Sequence, residues 1–136
     1  MDIFIAVIGF AVSAFLGFGF FKAGKFKLTA SRETLLGAGF GWVEKTSMGA
    51  VRTLALLEVL GAIGGVLAPA AFYLLPGFEW AIWFGVAATA GLALVMVAAI
   101  ILHQVRGESK YTLKMNLGLL LPALVATGLW IYVAIA

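Results

Sequence analysis

Hydrophobic residues occur in four long runs, separated by segments that carry nearly all of the charged side chains. The runs cover residues 3–21, 54–75, 80–102 and 115–136, and only the second contains a charge. A helix rising about 1.5 Å per residue needs roughly twenty residues to cross the hydrocarbon core of a bilayer. The pattern therefore predicts an all-α, integral membrane four-helix bundle that forms a single transmembrane domain over residues 1–136.

Composition supports a membrane environment and excludes several other classes of protein. Hydrophobic residues make up 64% of the 136-residue chain, charged residues 11%, and the mean hydropathy is +1.14. Soluble domains carry about 25% charged residues, so a water-soluble monomer or a disordered chain is excluded. The chain has no cysteine and a single histidine, His103. We therefore expect no metal site, and any redox role would need an organic cofactor or a partner protein.

The positive charges predict how the chain is oriented in the membrane. All nine lysine and arginine residues fall within two connections, residues 22–53 and 103–114, and none lies near the termini or in the turn at 76–79. The positive-inside rule then places these two loops in the cytoplasm and both termini outside. The acidic start at Asp2 and the lysines after Phe21 favour a retained first helix over a cleaved signal peptide. The net charge of +3 arises from lysine and arginine residues in the two predicted cytoplasmic loops. It therefore does not indicate a nucleic-acid partner.

The first connection has local signals of its own. Ser31 is a predicted N-cap of a short helix, and Ser47 is a predicted N-cap of the second long helix, which would begin near Met48. Phe40 and Trp42 indicate that the segment lies on the membrane surface. A plain solvated loop is the alternative interpretation.

Small residues recur at intervals of about four along the predicted helices. Glycine accounts for 17 of the 136 residues. Small side chains at this spacing allow helices to approach closely inside a membrane, and such faces also allow a homodimer. The positions expected at helix contacts are Gly9, Ser13, Gly17, Gly61, Gly65, Gly85, Gly118 and Gly128.

Glu58 is the one charged residue inside an apolar run. An acid within the membrane costs about 2.5–3.5 kcal/mol on insertion scales, so it is expected to face a partner or a cavity. Small residues follow it at positions 61, 62 and 65, on the same face of the helix. Lys27, His103 and Asn116, each on a different helix, are predicted to lie near the same membrane level. These four residues are either a polar cluster that fixes helix register or a site for a ligand, and the spacing alone favours neither.

Three short motifs occur in order along the chain. Lys27–Thr29 reads K-L-T, Arg52 to Gly64 reads R-x5-E-x-x-G-A-x-G, and His103 to Glu108 reads H-x-x-R-x-E. Together the motifs resemble the DoxX-like family of small bacterial membrane proteins over nearly the whole chain. The resemblance implies a four-helix membrane bundle in the bacterial cytoplasmic membrane. It also selects Lys27, Arg52, Glu58 and His103 as the candidate cofactor-binding residues.

The resemblance implies a role in redox or stress-related complexes. A related branch, DoxD, is a subunit of a thiosulfate–quinone oxidoreductase. The first hypothesis is a membrane subunit or accessory factor that holds a quinone or another lipophilic ligand and contacts a redox protein. The second is an assembly factor that acts through helix packing, and the third is a small proton-coupled transporter. No nucleophile triad, Walker loop or zinc-protease motif occurs, so a complete enzyme is not expected and no catalytic residue is assigned.

Overall fold

The computed structural model describes residues 3–136, and within that range the chain is almost entirely helical and forms no β-strand. Met1 and Asp2, which entered the signal-peptide argument, lie outside this range. The elements are α1 (Ile3–Thr29), α2 (Arg32–Gly37), a short 3-10 helix (Gly41–Lys45), α3 (Met48–Leu74), α4 (Ala81–Val105) and α5 (Ser109–Ile135). The predicted all-α class is confirmed.

Four of these helices, α1, α3, α4 and α5, are long and apolar enough to cross a membrane. The chain is therefore a multi-pass membrane protein, as its composition predicted. The helices extend further than the apolar runs: α1 continues through the lysines to Thr29, and α5 begins at Ser109. The charged side chains at these helix ends can extend into the head-group layer while the backbone stays helical.

The four long helices form a closed ring in which each packs against two neighbours. Helix α1 packs on α3 and α5, and α4 packs on the same two helices. A tight turn joins α3 to α4, and Gly77 in this turn has φ +85°, a left-handed conformation that glycine adopts without steric cost. All nine basic residues lie toward the ends where α1 and α4 finish and α3 and α5 begin. We call this end of the bundle the basic end.

Buried residues form one stripe along each long helix, at intervals of three or four. The stripe on α1 is Gly9, Ser13, Leu16, Phe20, Gly24 and Lys27. The stripe on α3 is Val51, Ala55, Glu58, Ala62, Gly65 and Pro69. Because both stripes face the bundle interior, Lys27 and Glu58 are directed into the protein rather than toward lipid.

Several of the predicted glycine contacts are present, and they have a clear steric basis. A Cβ on Gly61 would come within 2.6 Å of Leu92, and one on Gly85 within 2.7 Å of the Pro69 ring. Both glycines therefore allow helices to pack more closely than alanine would permit. The prediction was wrong for Gly118 and Gly128, which are exposed and have nothing within 4 Å of an added Cβ. The buried stripe of α5 runs along another face of that helix.

Hydrogen bonds between side chains connect the helices at the end opposite the basic end. The indole Nε1 of Trp130 donates to Ser13 Oγ at 3.0 Å, and its ring lies against Gly9. The hydroxyl of Thr127 on α5 lies 3.0 Å from that of Thr89 on α4. In hydrocarbon no water is present to satisfy these polar groups, so each must find a partner within the protein.

The segment from residue 31 to residue 47, which we call the cap, folds across the basic end. Ser31 and Ser47 are N-caps as predicted, since their hydroxyls accept from the backbone N–H of Thr34 and Ala50 at 3.1 Å. The Arg32 guanidinium donates to three carbonyl groups of the cap, those of Val43, Glu44 and Thr46. These bonds hold α2 against the 3-10 helix and give the cap a defined shape.

The aromatic residues of the cap pack on the protein itself. Leu35, Val43 and Val51 form a fully buried cluster, and both Phe40 and Trp42 pack against it. The two rings are half-buried. They help to close the end of the bundle, a contact that the sequence pattern did not show. Part of each ring stays exposed, and the location of the segment on the membrane surface stays a prediction.

The contact between Gly85 and Pro69 gives a direct test of the packing. Substitution Gly85→Ala places a methyl group 2.7 Å from a rigid ring, so we expect it to lower the free energy of unfolding in detergent by about 1–3 kcal/mol. Gly91→Ala, on the same helix with open space around it, is the matched control and should change little. Equal stability of the two variants would contradict the close contact between α3 and α4.

A polar cavity beneath the cap

A buried ion pair joins α1 to α3 at the basic end. The ammonium group of Lys27 donates to Oε1 of Glu58 at 2.8 Å and lies 2.7 Å from Oε2 without hydrogen-bond geometry. The two side chains are only 8% and 3% exposed. A lone buried charge is strongly disfavoured, whereas a close pair cancels its charge within the protein. The pair therefore explains how an acid is accommodated inside an apolar helix.

Arg52 supports this ion pair through the backbone of α1. Its guanidinium donates to the backbone carbonyl of Lys27, near the C-terminal end of α1. Carbonyls in the last turn of a helix lack partners within the helix, and a cation there is favourable. Arg52 thus holds the end of α1 against α3, which fixes the position from which the Lys27 side chain extends.

A cavity of about 500 Å³ lies beneath the cap, between the four long helices. Lys27 and Glu58 line it, together with His103 from α4 and Asn116 from α5. The Phe40 ring of the cap lies over Lys27, with 5.9 Å between Nζ and the ring centroid. The remaining lining is mostly apolar: Gly19, Phe20, Ala23, Ala38, Gly39, Phe40, Trp42, Leu54, Val95, Met96, Ala98, Ala99, Leu102, Thr112, Met115 and Leu119. The result is a largely apolar chamber with a polar patch.

His103 is held by a group of charged residues between α4 and α5. Its Nδ1 lies 2.7 Å from Oε2 of Glu108, and the Arg106 guanidinium donates to Oε1 of the same carboxylate at 2.9 Å. The hydrogen bond with His103, together with Arg106, holds the pKa of Glu108 below its usual value, against a smaller opposing effect of desolvation. Glu108 is therefore ionised at neutral pH and accepts from Nδ1–H. This fixes the orientation of the imidazole ring that lines the cavity.

The same group also contacts the cap. The Nη2 atom of Arg106 lies so close to Gly41 that an added Cβ would come within 2.9 Å of it. The connection between α4 and α5 and the cap therefore meet above the cavity. His103 faces the chamber from this junction, and together these segments cover the basic end.

Two polar atoms near the cavity have no hydrogen-bond partner among the described residues. One is Nδ2 of Asn116, whose residue is 4% exposed, and the other is Oε2 of Glu58. The Glu58 oxygen lies 2.7 Å from the Lys27 ammonium group, so its charge is compensated. Buried donors are normally satisfied, and Asn116 Nδ2 is the atom of this wall that calls for an explanation.

The structure brings together three of the four residues selected from the sequence. Lys27, Glu58 and His103 line one cavity, while Arg52 does not line it and instead fastens α1. Sequence reasoning placed Asn116 near this level but did not select it. Its position on the inward stripe of α5, seven residues before the buried Ala123, is the signal that could have identified it. Among residues 3–136 no group of side chains suited to a metal ion is found.

The fold and the site define a small multi-pass membrane protein with a capped, partly polar chamber at its basic end. The model of the DoxX-like family matches residues 11–131, and the chain belongs to that family. Comparison with curated proteins and with solved structures gave no match.

The buried pair allows a test of charge compensation. Lys27→Met leaves Glu58 without its cation, and we expect this change to lower the free energy of unfolding by about 3–5 kcal/mol. The double variant Lys27→Met/Glu58→Leu replaces both charges by apolar groups and should recover most of that loss. Denaturant titration in detergent, followed by tryptophan fluorescence, measures both variants. A double variant as unstable as the single one would show that charge compensation is not the source of the effect.

Proposed function

We propose that this protein is a membrane subunit or accessory factor of a redox or stress-related complex, and that its cavity holds a quinone or another lipophilic ligand. The observation that carries the proposal is the capped chamber lined by Lys27, Glu58, His103 and Asn116. Its volume of about 500 Å³ falls within the usual range for small-molecule sites. Such sites combine apolar walls with a few placed polar groups, which is the composition found here.

The setting of the proposal follows from the charge bias and the family. We place the protein in the bacterial cytoplasmic membrane, with the basic end in the cytoplasm and both termini outside. A redox partner would then approach the cap and the connection between α4 and α5. The chain contains no thiol, and its single histidine is held by Glu108, so electron transfer is assigned to the partner and the ligand.

The two alternative functions have less support. Assembly by helix packing would rest on outward-facing glycines, but Gly9, Gly61 and Gly85 are used for contacts within the bundle. The features that favour a membrane partner are the exposed Gly118 and Gly128 on α5 and a shallow apolar groove of about 450 Å³ between α1 and α3. Proton-coupled transport would rest on a free acid, but Glu58 is paired with Lys27.

Filling the chamber tests the proposal. Substitution Ala99→Phe adds a ring to the lining, and we expect it to weaken binding of 2-decyl-1,4-benzoquinone by about tenfold or more because the space is taken. Ala87→Phe, on the exposed face of the same helix, is the matched control and should bind as the wild type does. Quenching of tryptophan fluorescence in lipid nanodiscs measures binding, with Trp42 in the chamber as the reporter.

The Trp42→Phe variant identifies the quenching that arises inside the chamber, since a quinone dissolved in lipid also reaches exposed tryptophans. Saturable quenching that is lost in Trp42→Phe and in Ala99→Phe supports the proposal. Absence of saturable quenching in the wild type, or equal affinity of Ala99→Phe and Ala87→Phe, contradicts it.

A further inference from the structure

The polar end of the chamber has a charge balance that restricts what it can bind. Lys27 and Glu58 neutralise each other at 2.7–2.8 Å, so the wall presents a dipole and no net charge. An anionic head group would compete with Glu58 for the ammonium group, and a cationic one would compete with Lys27 for the carboxylate. Either would leave one member of a buried pair without its partner, which is costly in a low-dielectric site.

The unpaired atoms of the wall indicate which groups remain available. Asn116 Nδ2 is a buried donor without a partner, and Glu58 Oε2 is a buried acceptor that is ion-paired but not hydrogen-bonded. A neutral carbonyl or hydroxyl oxygen could accept from Asn116 without disturbing the ion pair. A hydroxyl on the same head group could also donate to Glu58 Oε2.

We propose that the chamber selects a lipophilic molecule with an uncharged, oxygen-bearing head group, and that Asn116 is the residue that recognises this oxygen. The inference rests on the proposed function and deepens it by specifying the head group. Asn116 is 4% exposed, lies on the inward stripe of α5, and has a buried donor without a partner among the described residues. A site built to donate to an oxygen discriminates strongly against molecules that lack it.

The test compares three probes with the same decyl tail and different head groups. They are 2-decyl-1,4-benzoquinone, 4-decylbenzoate as the anion, and 4-decylbenzylamine as the cation, all at pH 8 in phosphatidylcholine nanodiscs. Binding of the quinone is read from Trp42 quenching, and the other two are measured as competitors. We expect the two charged probes to bind at least about tenfold more weakly than 2-decyl-1,4-benzoquinone.

The variant Asn116→Leu removes the donor and keeps the side-chain volume. We expect it to lower quinone affinity by about tenfold, the usual effect of losing one buried hydrogen bond, and to leave the charged probes unchanged. Thr53→Val is the control, because Thr53 also lies at the basic end but is exposed and outside the chamber lining, with its hydroxyl donating to the Gly49 carbonyl at 2.8 Å. It should bind all three probes as the wild type does.

The possible outcomes separate this inference from the function on which it rests. Saturable quinone binding that is insensitive to Asn116→Leu, or tighter binding of a charged probe, overturns the head-group inference and leaves the chamber as a ligand site. If the wild type binds none of the probes, the proposed function fails as well. Unfolding of Asn116→Leu is detected by its melting curve, and Asn116→Ala then replaces it as a variant that removes the donor with a smaller, uncharged side chain.

A different observation, the uneven packing of α1 against α5, carries a second inference. These two helices are the least closely packed neighbours in the ring. At the end opposite the basic end they are joined by Trp130, which bonds to Ser13 and covers Gly9. Beside the chamber, the facing residues are Gly19 and Ala23 on α1 and Met115 and Leu119 on α5, and none of these four is buried.

We infer that the ligand enters the chamber sideways from the bilayer, between α1 and α5 at the level of Gly19 and Leu119. The cap covers the basic end, and the Trp130 contacts close the other half of the seam between α1 and α5. The seam beside the chamber is closed mainly by Leu119, whose Cδ2 would lie 3.2 Å from a Cβ on Gly19. A leucine side chain can change rotamer, and such a change would widen the seam at this level.

The absence of cysteine makes this passage straightforward to test. The double variant Gly19→Cys/Leu119→Cys would place the two introduced thiols across the seam, without native thiols to interfere. We expect oxidation to slow loading of 2-decyl-1,4-benzoquinone into protein in nanodiscs by at least about tenfold, and reduction to restore it. Each single cysteine variant under the same oxidant is the control.

Loading that is equally fast in the oxidised, cross-linked protein overturns the lateral route and leaves ligand binding itself intact. Loss of binding in both the oxidised and reduced forms would reflect damage to the chamber. In that case Ala23→Trp, which narrows the same passage without a cross-link, is compared with Ala99→Phe, which fills the chamber from α4. Ala23→Trp is expected to lower the loading rate by a larger factor than the equilibrium affinity, whereas Ala99→Phe is expected to act mainly on the affinity. An unchanged loading rate in Ala23→Trp would then overturn the route.

Discussion

The pairing of Lys27 with Glu58 is the interaction on which the basic end of the molecule depends. Neither charge is tolerated alone in an apolar interior, so α1 and α3 must stay in the register that keeps the two groups in contact. Arg52 secures the same register through the Lys27 carbonyl. The cap then packs over this junction, with Phe40 above the ammonium group. The polar wall of the chamber is therefore a product of the contact that holds the first two long helices together.

The interior of the bundle differs between the basic end and the opposite end. Opposite the basic end, interior positions are filled by Trp130, Ile82 and Val133, and polar groups such as Ser13 meet partners on other helices. At the basic end the helices leave a chamber, and the Asn116 amide nitrogen beside it has no partner among the described residues. Open space beside a buried polar donor is the arrangement found in many small-molecule sites.

Much of this architecture could be predicted from the sequence, because its main determinants are local. The lengths of the four apolar runs predict the four long helices, and the N-cap residues Ser31 and Ser47 predict where two helices begin. The small residues after Glu58 correctly indicate that it faces inward. Contacts between distant segments could not be predicted: the cap folds over the chamber, Phe40 and Trp42 pack on protein, and Arg52 bonds to a backbone carbonyl. Gly118 and Gly128 were misassigned because spacing alone does not show which face of α5 is buried.

The internal neutrality of the Lys27–Glu58 pair has an electrical consequence. Moving one elementary charge through a membrane potential of 100 mV involves about 2.3 kcal/mol. Protonation of an unpaired acid at this depth would be sensitive to that potential, because the proton crosses part of the field. A pair whose charges sum to zero, receiving a neutral molecule from the side, moves no net charge along the field. Occupancy of the chamber would then be the same in an energised membrane as in a depolarised one.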